Sequence, residues 1–229
     1  MNTLILAAGR GERMRPLTLT TPKPLLPAAG QPLIVHQLQR LAAAGIRHLV
    51  INTAWLGEQI EQALGDGADF GLGIRYSREP EPLETLGGLR NALPLFDDGD
   101  WILVVNGDIW SDFDFHTLWP LPDPQHCLAR LVLVDNPGQH PQGDFHLDKQ
   151  GQVHGSGPDQ LTFAGISLLH RQLIEQAPLA ENRLAPVLKT AMTRGLVSGL
   201  HHQGQWQDIG TPERLANLDR QLRQQDPHS

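Results

Sequence analysis

Short apolar runs alternate with segments of helical spacing over the first 110 residues of this 229-residue chain. The strand-sized runs are residues 3–8, 48–55, 73–79 and 101–110. The segments with helical spacing are residues 31–45, 56–67 and 87–96. Strands that alternate with helices pair into a mostly parallel sheet, because each helix carries the chain back to the end where the previous strand began. The alternation therefore predicts an α/β fold with helices on both faces of the sheet.

The pattern changes after residue 115, where strand-like runs follow one another with only polar turns between them. These runs are residues 128–137, 143–148 and 161–170. A helix is predicted next at 183–195, then a hairpin-like stretch at 196–210 and a closing helix at 211–225, with Pro212 at its first position. We expect this half to extend the sheet and to form a smaller β-rich subregion that faces the substrate, within one domain.

Composition excludes several classes of function. The chain has 18 lysines and arginines against 25 aspartates and glutamates, and this net charge of −7 argues against a broad nucleic-acid surface. The first apolar run is too short for a signal peptide, and no run approaches the roughly 20 apolar residues that span a membrane. The single cysteine, Cys127, excludes an intramolecular disulfide and is expected in the core. We therefore expect a cytoplasmic protein that binds neither nucleic acid nor membranes.

A glycine-rich, basic loop follows the first strand, in the sequence LAAGRGERMRPLTLTTPKP at 6–24. Met14 stands where a dinucleotide-binding loop has its third glycine, and the G-K-[ST] ending of a P-loop is missing. Gly9 and Gly11 leave backbone N–H groups open to phosphate oxygens, while three arginines and Lys23 supply positive charge. The loop predicts a triphosphate site; a surface turn with solvated cations is the alternative.

Two aspartates are candidates for a metal site. In a parallel sheet, ligands bind beyond the carboxyl ends of the strands, so Asp108 at the end of the run 101–110 is expected beside the glycine-rich loop. Asp208 lies far away in sequence, next to Trp206, which we expect to border the site. Each aspartate alone could simply form a turn. Together with a triphosphate they predict a Mg²⁺ site, because Mg²⁺ prefers carboxylate and phosphate oxygens.

The loop also resembles the signature L-A-A-G-x-G-x-R-M-x-P-L-T-x-x-x-P-K-P-L of sugar-phosphate nucleotidyltransferases, which join a nucleoside triphosphate to a sugar 1-phosphate. Similar family segments are EPLETLGG at 81–88, VVNGD at 104–108, FAGISLL at 163–169 and WQDIGTPE at 206–213. The resemblance implies a single-domain, Rossmann-like nucleotidyltransferase fold over residues 1–229. It also implies a nucleotide-binding half at about 1–115 and a sugar-binding half at about 116–229.

The resemblance implies roles for individual residues. Arg13 would hold the leaving phosphates, Lys23 would bridge the two reacting phosphates, and Asp108 and Asp208 would bind Mg²⁺. The implied nucleotide contacts are Leu6, Ala7, Ala8, Gly9, Gly11, Glu12, Arg13, Lys23, Glu79, Glu84 and Gly87. The implied sugar contacts are Asn106, Gly143, Asp144, Ala164 and Gly165. Two departures stand out, since Glu84 replaces a glycine of the family's P-L-G-T-A-G and the family's E-K-P motif is missing.

Within the family, the segments INTAWLGEQIE, EPLETLGG and DNPGQHPQGDF are most similar to the branch that uses UTP and N-acetylmuramate α-1-phosphate in peptidoglycan recycling. The lactyl carboxylate of that sugar would need a cation or hydrogen-bond donors, and Arg90, His140 and Arg183 are unranked candidates. Alternatives with the same chemistry are a glucose 1-phosphate thymidylyl- or uridylyltransferase and a mannose 1-phosphate guanylyltransferase. A non-catalytic nucleotide-sugar sensor is a further alternative, and the protein is expected to be a monomer or homodimer.

Overall fold

The structure, a computed structural model, describes residues 1–225 of the chain. Its strands are β1 (Asn2–Leu6), β2 (Pro27–Ala28), β3 (Gln31–Pro32), β4 (His48–Thr53), β5 (Gly73–Arg78), β6 (Trp101–Asn106), β7 (Ile109–Ser111), β8 (Ala129–Val134), β9 (His146–Leu147), β10 (Val153–His154), β11 (Thr162–His170), β12 (Val197–His202) and β13 (Trp206–Asp208). Its α-helices are α1 (Leu33–Ala43), α2 (Gly57–Leu64), α3 (Glu84–Ala92), α4 (Arg171–Glu175), α5 (Leu184–Thr193) and α6 (Pro212–Gln225). None of the helices in this range is both long and apolar enough to cross a bilayer.

A seven-stranded sheet forms the centre of the molecule, in the order β12-β8-β11-β6-β1-β4-β5. β11 runs antiparallel to both of its neighbours, and the other neighbouring pairs are parallel. This confirms the predicted mixed, mostly parallel α/β sheet, whose strands come from both halves of the chain.

Helices cover the sheet on both faces because successive side chains of each central strand point to opposite sides. On β1, Ile5 belongs to a core cluster with Leu38 of α1 and Ile60 of α2. The preceding residue, Leu4, belongs to a second cluster with Leu89 of α3. Burial of each side chain of this size contributes about 1.5–3 kcal/mol to the stability of the fold. The apolar runs of the sequence supply the side chains of these two clusters.

The stretch 196–210 is not a hairpin, and that prediction is wrong. β12 pairs in parallel with β8 at the edge of the main sheet, whereas β13 pairs antiparallel with β7 in a separate two-stranded sheet. β12 covers the otherwise open edge of β8, which has buried side chains on both faces. The chain then turns away at 203–205, and β13 comes to lie beside the end of β6.

The C-terminal helix packs on the glycine-rich loop. α6 begins at Pro212 as predicted, and the Thr211 hydroxyl accepts a hydrogen bond of 3.3 Å from the Arg214 N–H. Leu215 and Leu218 of this helix form a third apolar cluster with Met14, which is fully buried. The cluster therefore ties the end of the described chain to its first loop.

We predict a high pKa for Tyr76, the single tyrosine of the chain. Its hydroxyl donates a 2.6 Å hydrogen bond to the Gly65 carbonyl after α2. Burial raises the pKa of Tyr76 to about 12, and the charges of Glu61 and Asp66 act in the same direction. Since tyrosine in an unfolded chain ionises near pH ~10, the contribution of this residue to stability should be present below that pH. It should be lost as the pH rises through the folded pKa.

The ultraviolet absorbance of tyrosinate measures this pKa directly, with Tyr76→Phe as the baseline and circular dichroism to show that the protein is still folded. Ionisation at the ordinary pH in a folded protein would contradict the packing of β5 against α2.

Candidate active site

The turn after β6 is enclosed by other parts of the chain. The N–H of Gly107 donates a 2.8 Å hydrogen bond to the Leu6 carbonyl at the end of β1. A Cβ atom on Gly107 would lie 2.5 Å from that carbonyl oxygen, so only glycine fits here. On the other side, the N–H of Ile209 donates a 2.9 Å hydrogen bond to the carbonyl of Asp108. The backbone of Asp108 is thus held between β1 and the segment that follows β13.

The two glycines of the basic loop have different surroundings. Gly11 has φ +60°, and a Cβ there would lie 2.9 Å from the methyl group of Thr18. The Thr18 hydroxyl donates a 2.8 Å hydrogen bond to the Gly11 carbonyl, which fixes the curvature of the loop. Gly9, by contrast, has open space around its Cβ position. Gly11 is therefore required by the loop itself, whereas Gly9 leaves room beside the backbone.

Lys23 joins the loop to the turn after β6. Lys23 begins a short 3₁₀ helix, Lys23–Leu25, that follows Pro22. Its side chain is buried. The Nζ atom lies 2.8 Å from Oδ2 of Asp108. The predicted proximity of the glycine-rich loop and Asp108 is confirmed.

Asp208 reaches the same place through strand pairing. β13 pairs with β7 so that Asp208 lies opposite Ile109, the residue after Asp108. Nη1 of Arg214 donates a 2.7 Å hydrogen bond to Oδ2 of Asp208. Sequence reasoning did not identify Arg214, whose only local signal was its place in the first turns of a predicted helix.

A second arginine lies beside this pair. A Cβ atom on Gly210 would be 3.0 Å from Nη1 of Arg214 and 3.2 Å from Cζ of Arg13. Both guanidinium groups therefore lie against Gly210, and a larger residue there would displace them.

A cavity of about 500 Å³ opens between the glycine-rich loop and the start of α3. It is lined by Leu6, Ala7, Ala8, Gly9, Gly11, Glu12, Arg13, Met14, Lys23, Pro24, Asn52, Glu79, Pro82, Leu83, Glu84, Thr85, Asn106, Gly107, Asp108 and Gly210. Every predicted nucleotide contact except Gly87 lies in this lining. Gly87 is buried in α3, where a Cβ would meet Cβ of Leu83 at 2.9 Å, so close packing accounts for this glycine.

A second cavity, of about 260 Å³, adjoins the first. Its lining is Arg13, Asn106, Asp108, Ile109, Pro137, Gln139, His140, Thr162, Phe163, Gly165, Trp206 and Asp208. Trp206 borders the site as predicted. Arg13, Asn106 and Asp108 line both cavities. A ligand in each cavity would therefore meet its neighbour at these three side chains.

The predicted sugar contacts divide into two groups. Asn106 and Gly165 line the second cavity, and Gly165 has φ +75° with its Cβ position 2.8 Å from Nδ2 of Asn106. Gly143, Asp144 and Ala164 lie outside the lining. Asp144 accepts hydrogen bonds from the Phe163 N–H at 2.8 Å and pairs with His140 at 3.0 Å, so it holds the wall of the cavity.

The three candidates for a lactyl carboxylate have different environments. Arg90 donates to the carbonyls of residues 177, 178, 179 and 181, and Arg183 pairs with Glu181 at the surface. Both guanidinium groups are thus engaged in holding the loop before α5. His140 is the candidate that lines the second cavity.

A buried polar chain connects the two walls of the first cavity. The carbonyl of the Asn52 side chain accepts a 2.6 Å hydrogen bond from the Ala7 N–H, and its amide donates a 2.7 Å hydrogen bond to Oε1 of Glu79. Oε2 of Glu79 accepts from the Leu83 N–H at 2.9 Å. Burial raises the pKa of Glu79, and the hydrogen bonds from Leu83 and Asn52 oppose this shift. Asn52 was not identified from the sequence, although it lies in the predicted strand 48–55 and ligands bind beyond the carboxyl ends of such strands.

Glu84, which stands where the family signature has a glycine, has a backbone conformation that glycine adopts without strain. Its φ is +61°, in the left-handed region that residues other than glycine rarely occupy. The conformation at the start of α3 is therefore one that a glycine would also allow.

The two aspartates suit a divalent ion. Each carboxylate has one oxygen paired with a cation of the chain, and both side chains line the second cavity. No group of three or more His, Cys, Asp or Glu side chains placed to hold a metal occurs within residues 1–225. Two carboxylates without further protein ligands match Mg²⁺, which commonly takes its remaining oxygens from phosphates and water.

Comparisons with known proteins agree with this geometry. The family described as nucleotidyl transferase matches residues 2–153. The N-acetylmuramate alpha-1-phosphate uridylyltransferase of Neisseria meningitidis serogroup B is 50% identical over 223 residues, covering 94% of this chain and 95% of that protein. The mannose-1-phosphate guanylyltransferase of Mycobacterium tuberculosis is 33% identical over 225 residues, covering 93% of this chain and 62% of that protein.

A solved structure supports the fold. The crystal structure of a Bacillus anthracis protein, described as a candidate glucose-1-phosphate thymidylyltransferase in complex with sucrose, has a TM-score of 0.85 to this chain. The match covers 97% of this chain and 95% of that protein at 22% sequence identity.

Substitutions at the two loop glycines should have different effects. Gly11→Ala should lower the free energy of unfolding by roughly 1–3 kcal/mol, because alanine is strained at positive φ and its Cβ meets Thr18. Gly9→Ala should change stability by less than about 0.5 kcal/mol, yet weaken the binding of a nucleoside triphosphate, because its methyl group would enter the first cavity. Urea denaturation and calorimetric titration with UTP test both. Equal losses of stability in the two variants would contradict the conclusion that the loop requires Gly11 but not Gly9 for its shape.

The buried polar chain should matter for both stability and binding. Asn52→Leu leaves the Ala7 N–H and Oε1 of Glu79 without a partner, so we expect the free energy of unfolding to fall by roughly 1–3 kcal/mol, together with weaker binding of a nucleoside triphosphate, for which UTP is the probe. Asn91→Leu is the matched control, since Asn91 is exposed on α3 and bonds Ser77 and the Arg78 carbonyl outside the cavity. If Asn52→Leu and the unmodified protein bind UTP with the same affinity, the buried hydrogen bonds of Asn52 do not shape the cavity.

Proposed function

This chain belongs to the nucleotidyl transferase family, and on that premise we propose that it transfers the uridylyl group of UTP to N-acetylmuramate α-1-phosphate, releasing pyrophosphate. The observation that carries the chemistry is the junction of the two cavities at Arg13, Asn106 and Asp108. The choice of substrates rests on the 50% identity to the meningococcal uridylyltransferase over nearly the whole of both chains.

The reaction needs positioning and charge stabilisation rather than a protein nucleophile. An oxygen of the sugar 1-phosphate forms a bond to the α-phosphorus of UTP, and the bond from that phosphorus to the β-phosphate oxygen breaks. The attacking phosphate is already ionised at neutral pH, so no general base is required. Catalysis then comes from holding two anions in line and stabilising the charge that develops.

The cations of the loop have separate roles in this proposal. Arg13 has an exposed guanidinium at the junction and binds the departing pyrophosphate, with the bidentate geometry that arginine offers to phosphates. The ammonium of Lys23 has three N–H donors, of which one faces Asp108, so the others are free to bind the α-phosphate and the attacking phosphate. Arg10 and Arg15 line neither cavity, so we propose no role for them.

Asp108 and Asp208 would hold the divalent ion that this family commonly uses, and we propose Mg²⁺. When bound there, the ion would neutralise negative charge on the phosphates. Lys23 and Arg214 each bind one oxygen of these carboxylates and so keep them oriented toward the cavity before substrates arrive.

The two halves of the chain divide the substrates between them. We propose that the half at about 1–115 supplies most of the nucleotide site in the first cavity and that the half at about 116–229 supplies most of the sugar site in the second, within one domain. Asn106 and Gly165 would then contact the sugar, and we propose His140 for its lactyl carboxylate because, of the three candidates, it lines this cavity. A role in peptidoglycan recycling in the cytoplasm follows from that substrate.

Two alternatives are less well supported. A mannose 1-phosphate guanylyltransferase or a glucose 1-phosphate thymidylyl- or uridylyltransferase would use the same chemistry, but the guanylyltransferase comparison reaches only 33% identity. A non-catalytic sensor would have no need for Arg13, Lys23, Asp108 and Asp208, all of which this chain retains.

Pyrophosphate release tests the proposal. The protein should turn over UTP with N-acetylmuramate α-1-phosphate, and Asp108→Asn or Asp208→Asn should lower kcat by about a hundredfold or more, as expected for loss of a key electrostatic group. Asp135→Asn is the matched control, because Asp135 pairs with His201 at the surface, outside both cavities. Turnover of another nucleotide and sugar pair, with none of this one, would refute the substrate assignment. Full activity in Asp208→Asn would refute the metal assignment.

A further inference from the structure

A glutamine on α1 reaches the turn that carries Asp108. Gln37 is buried, and its side-chain amide nitrogen lies 2.8 Å from the Asn106 carbonyl and 2.8 Å from the Ile109 carbonyl. These carbonyls stand on either side of the Gly107-Asp108 pair. One NH₂ group thus binds both ends of the turn.

The other contacts of this turn hold its middle. Gly107 is fixed to the end of β1, and the Asp108 carbonyl is fixed by the Ile209 N–H. Neither contact sets the spacing of Asn106 and Ile109, the points where β6 ends and β7 begins. Among the described residues, Gln37 is the side chain that binds both of those carbonyls.

Stability alone does not account for a glutamine at this position. Its Oε1 atom is buried and has no partner among the residues that the structure describes, which is unfavourable. The neighbouring Leu38 is fully buried in the core. This packing fixes the position of α1, and with it the distance from Gln37 to the turn. Gln37 therefore leaves one carbonyl oxygen unsatisfied while its two N–H donors bind the turn. The need to hold the geometry of the turn explains a glutamine here better than stability does.

We propose that Gln37 is a positioning residue for the Asp108 carboxylate. By holding both ends of the turn, it keeps the carboxylate in the orientation in which one oxygen faces Lys23 and the other is available to a divalent ion. Gln37 lines neither cavity, so it would act through Asp108 rather than by contact with a substrate. This inference rests on the proposed use of Asp108 as a metal ligand.

The test compares Gln37→Met, which preserves length and apolar packing but donates no hydrogen bond, with Gln39→Met on the exposed face of the same helix. Mn²⁺ binding in the presence of UTP is measured from the electron paramagnetic resonance signal of free Mn²⁺. We expect the affinity for Mn²⁺ to fall about 10- to 100-fold in Gln37→Met, as for other residues that orient metal ligands. UTP binding without a divalent ion should be unchanged, and kcat should fall more than KM for UTP rises.

Mn²⁺ affinity and kcat equal to those of the unmodified protein would overturn the proposal, whatever the melting temperature of the variant. If Gln37→Met does not fold, Gln37→Asn serves in its place, because its amide is one methylene too short to span both carbonyls. Failure of the proposed function is seen separately, since the substrate pair is established on the unmodified protein and the Mn²⁺ measurement needs no sugar.

Discussion

The turn between β6 and β7 is bound by three distant segments of the chain, and the rest of the site is arranged around it. β1 binds it through the Gly107 N–H, the segment after β13 through the Asp108 carbonyl, and α1 through Gln37. One segment belongs to the main sheet, one directly follows the small sheet and one is the first helix, so packing between distant parts of the chain determines where the Asp108 carboxylate lies. The two cavities meet at this point.

The two candidate metal-binding carboxylates are paired with cations before any substrate binds. The carboxylates of Asp108 and Asp208 are each paired with a cation, Lys23 and Arg214. A chain with a net charge of −7 thus keeps a local group of cations where a triphosphate and a sugar phosphate would approach. Such an arrangement stabilises anions through fixed donors rather than through general surface charge.

Glycines and one glutamate show how tertiary contacts decide backbone shape. Gly107 and Gly11 are required because a Cβ atom would strike neighbouring atoms within 3 Å. Glu84 adopts a positive φ although it is not a glycine, and the start of α3 is held there by the Asn182 carbonyl, which accepts hydrogen bonds from the N–H groups of Leu86 and Gly87. Tertiary contacts there outweigh the local preference of the residue.

Local pattern was enough to predict the alternating strands and helices and the approach of Asp108 to the glycine-rich loop. These predictions used the spacing of apolar residues, the spacing of glycines, and the rule that ligands bind beyond the carboxyl ends of parallel strands. All three depend only on residues close in sequence and on the presence of a parallel sheet. The pairing of β13 with β7, the ion pair between Arg214 and Asp208, and the amide of Asn52 between two loops were not predictable in this way. Each joins segments far apart in the chain, and which of them meet is decided by the competition among all segments for the same core and sheet edges.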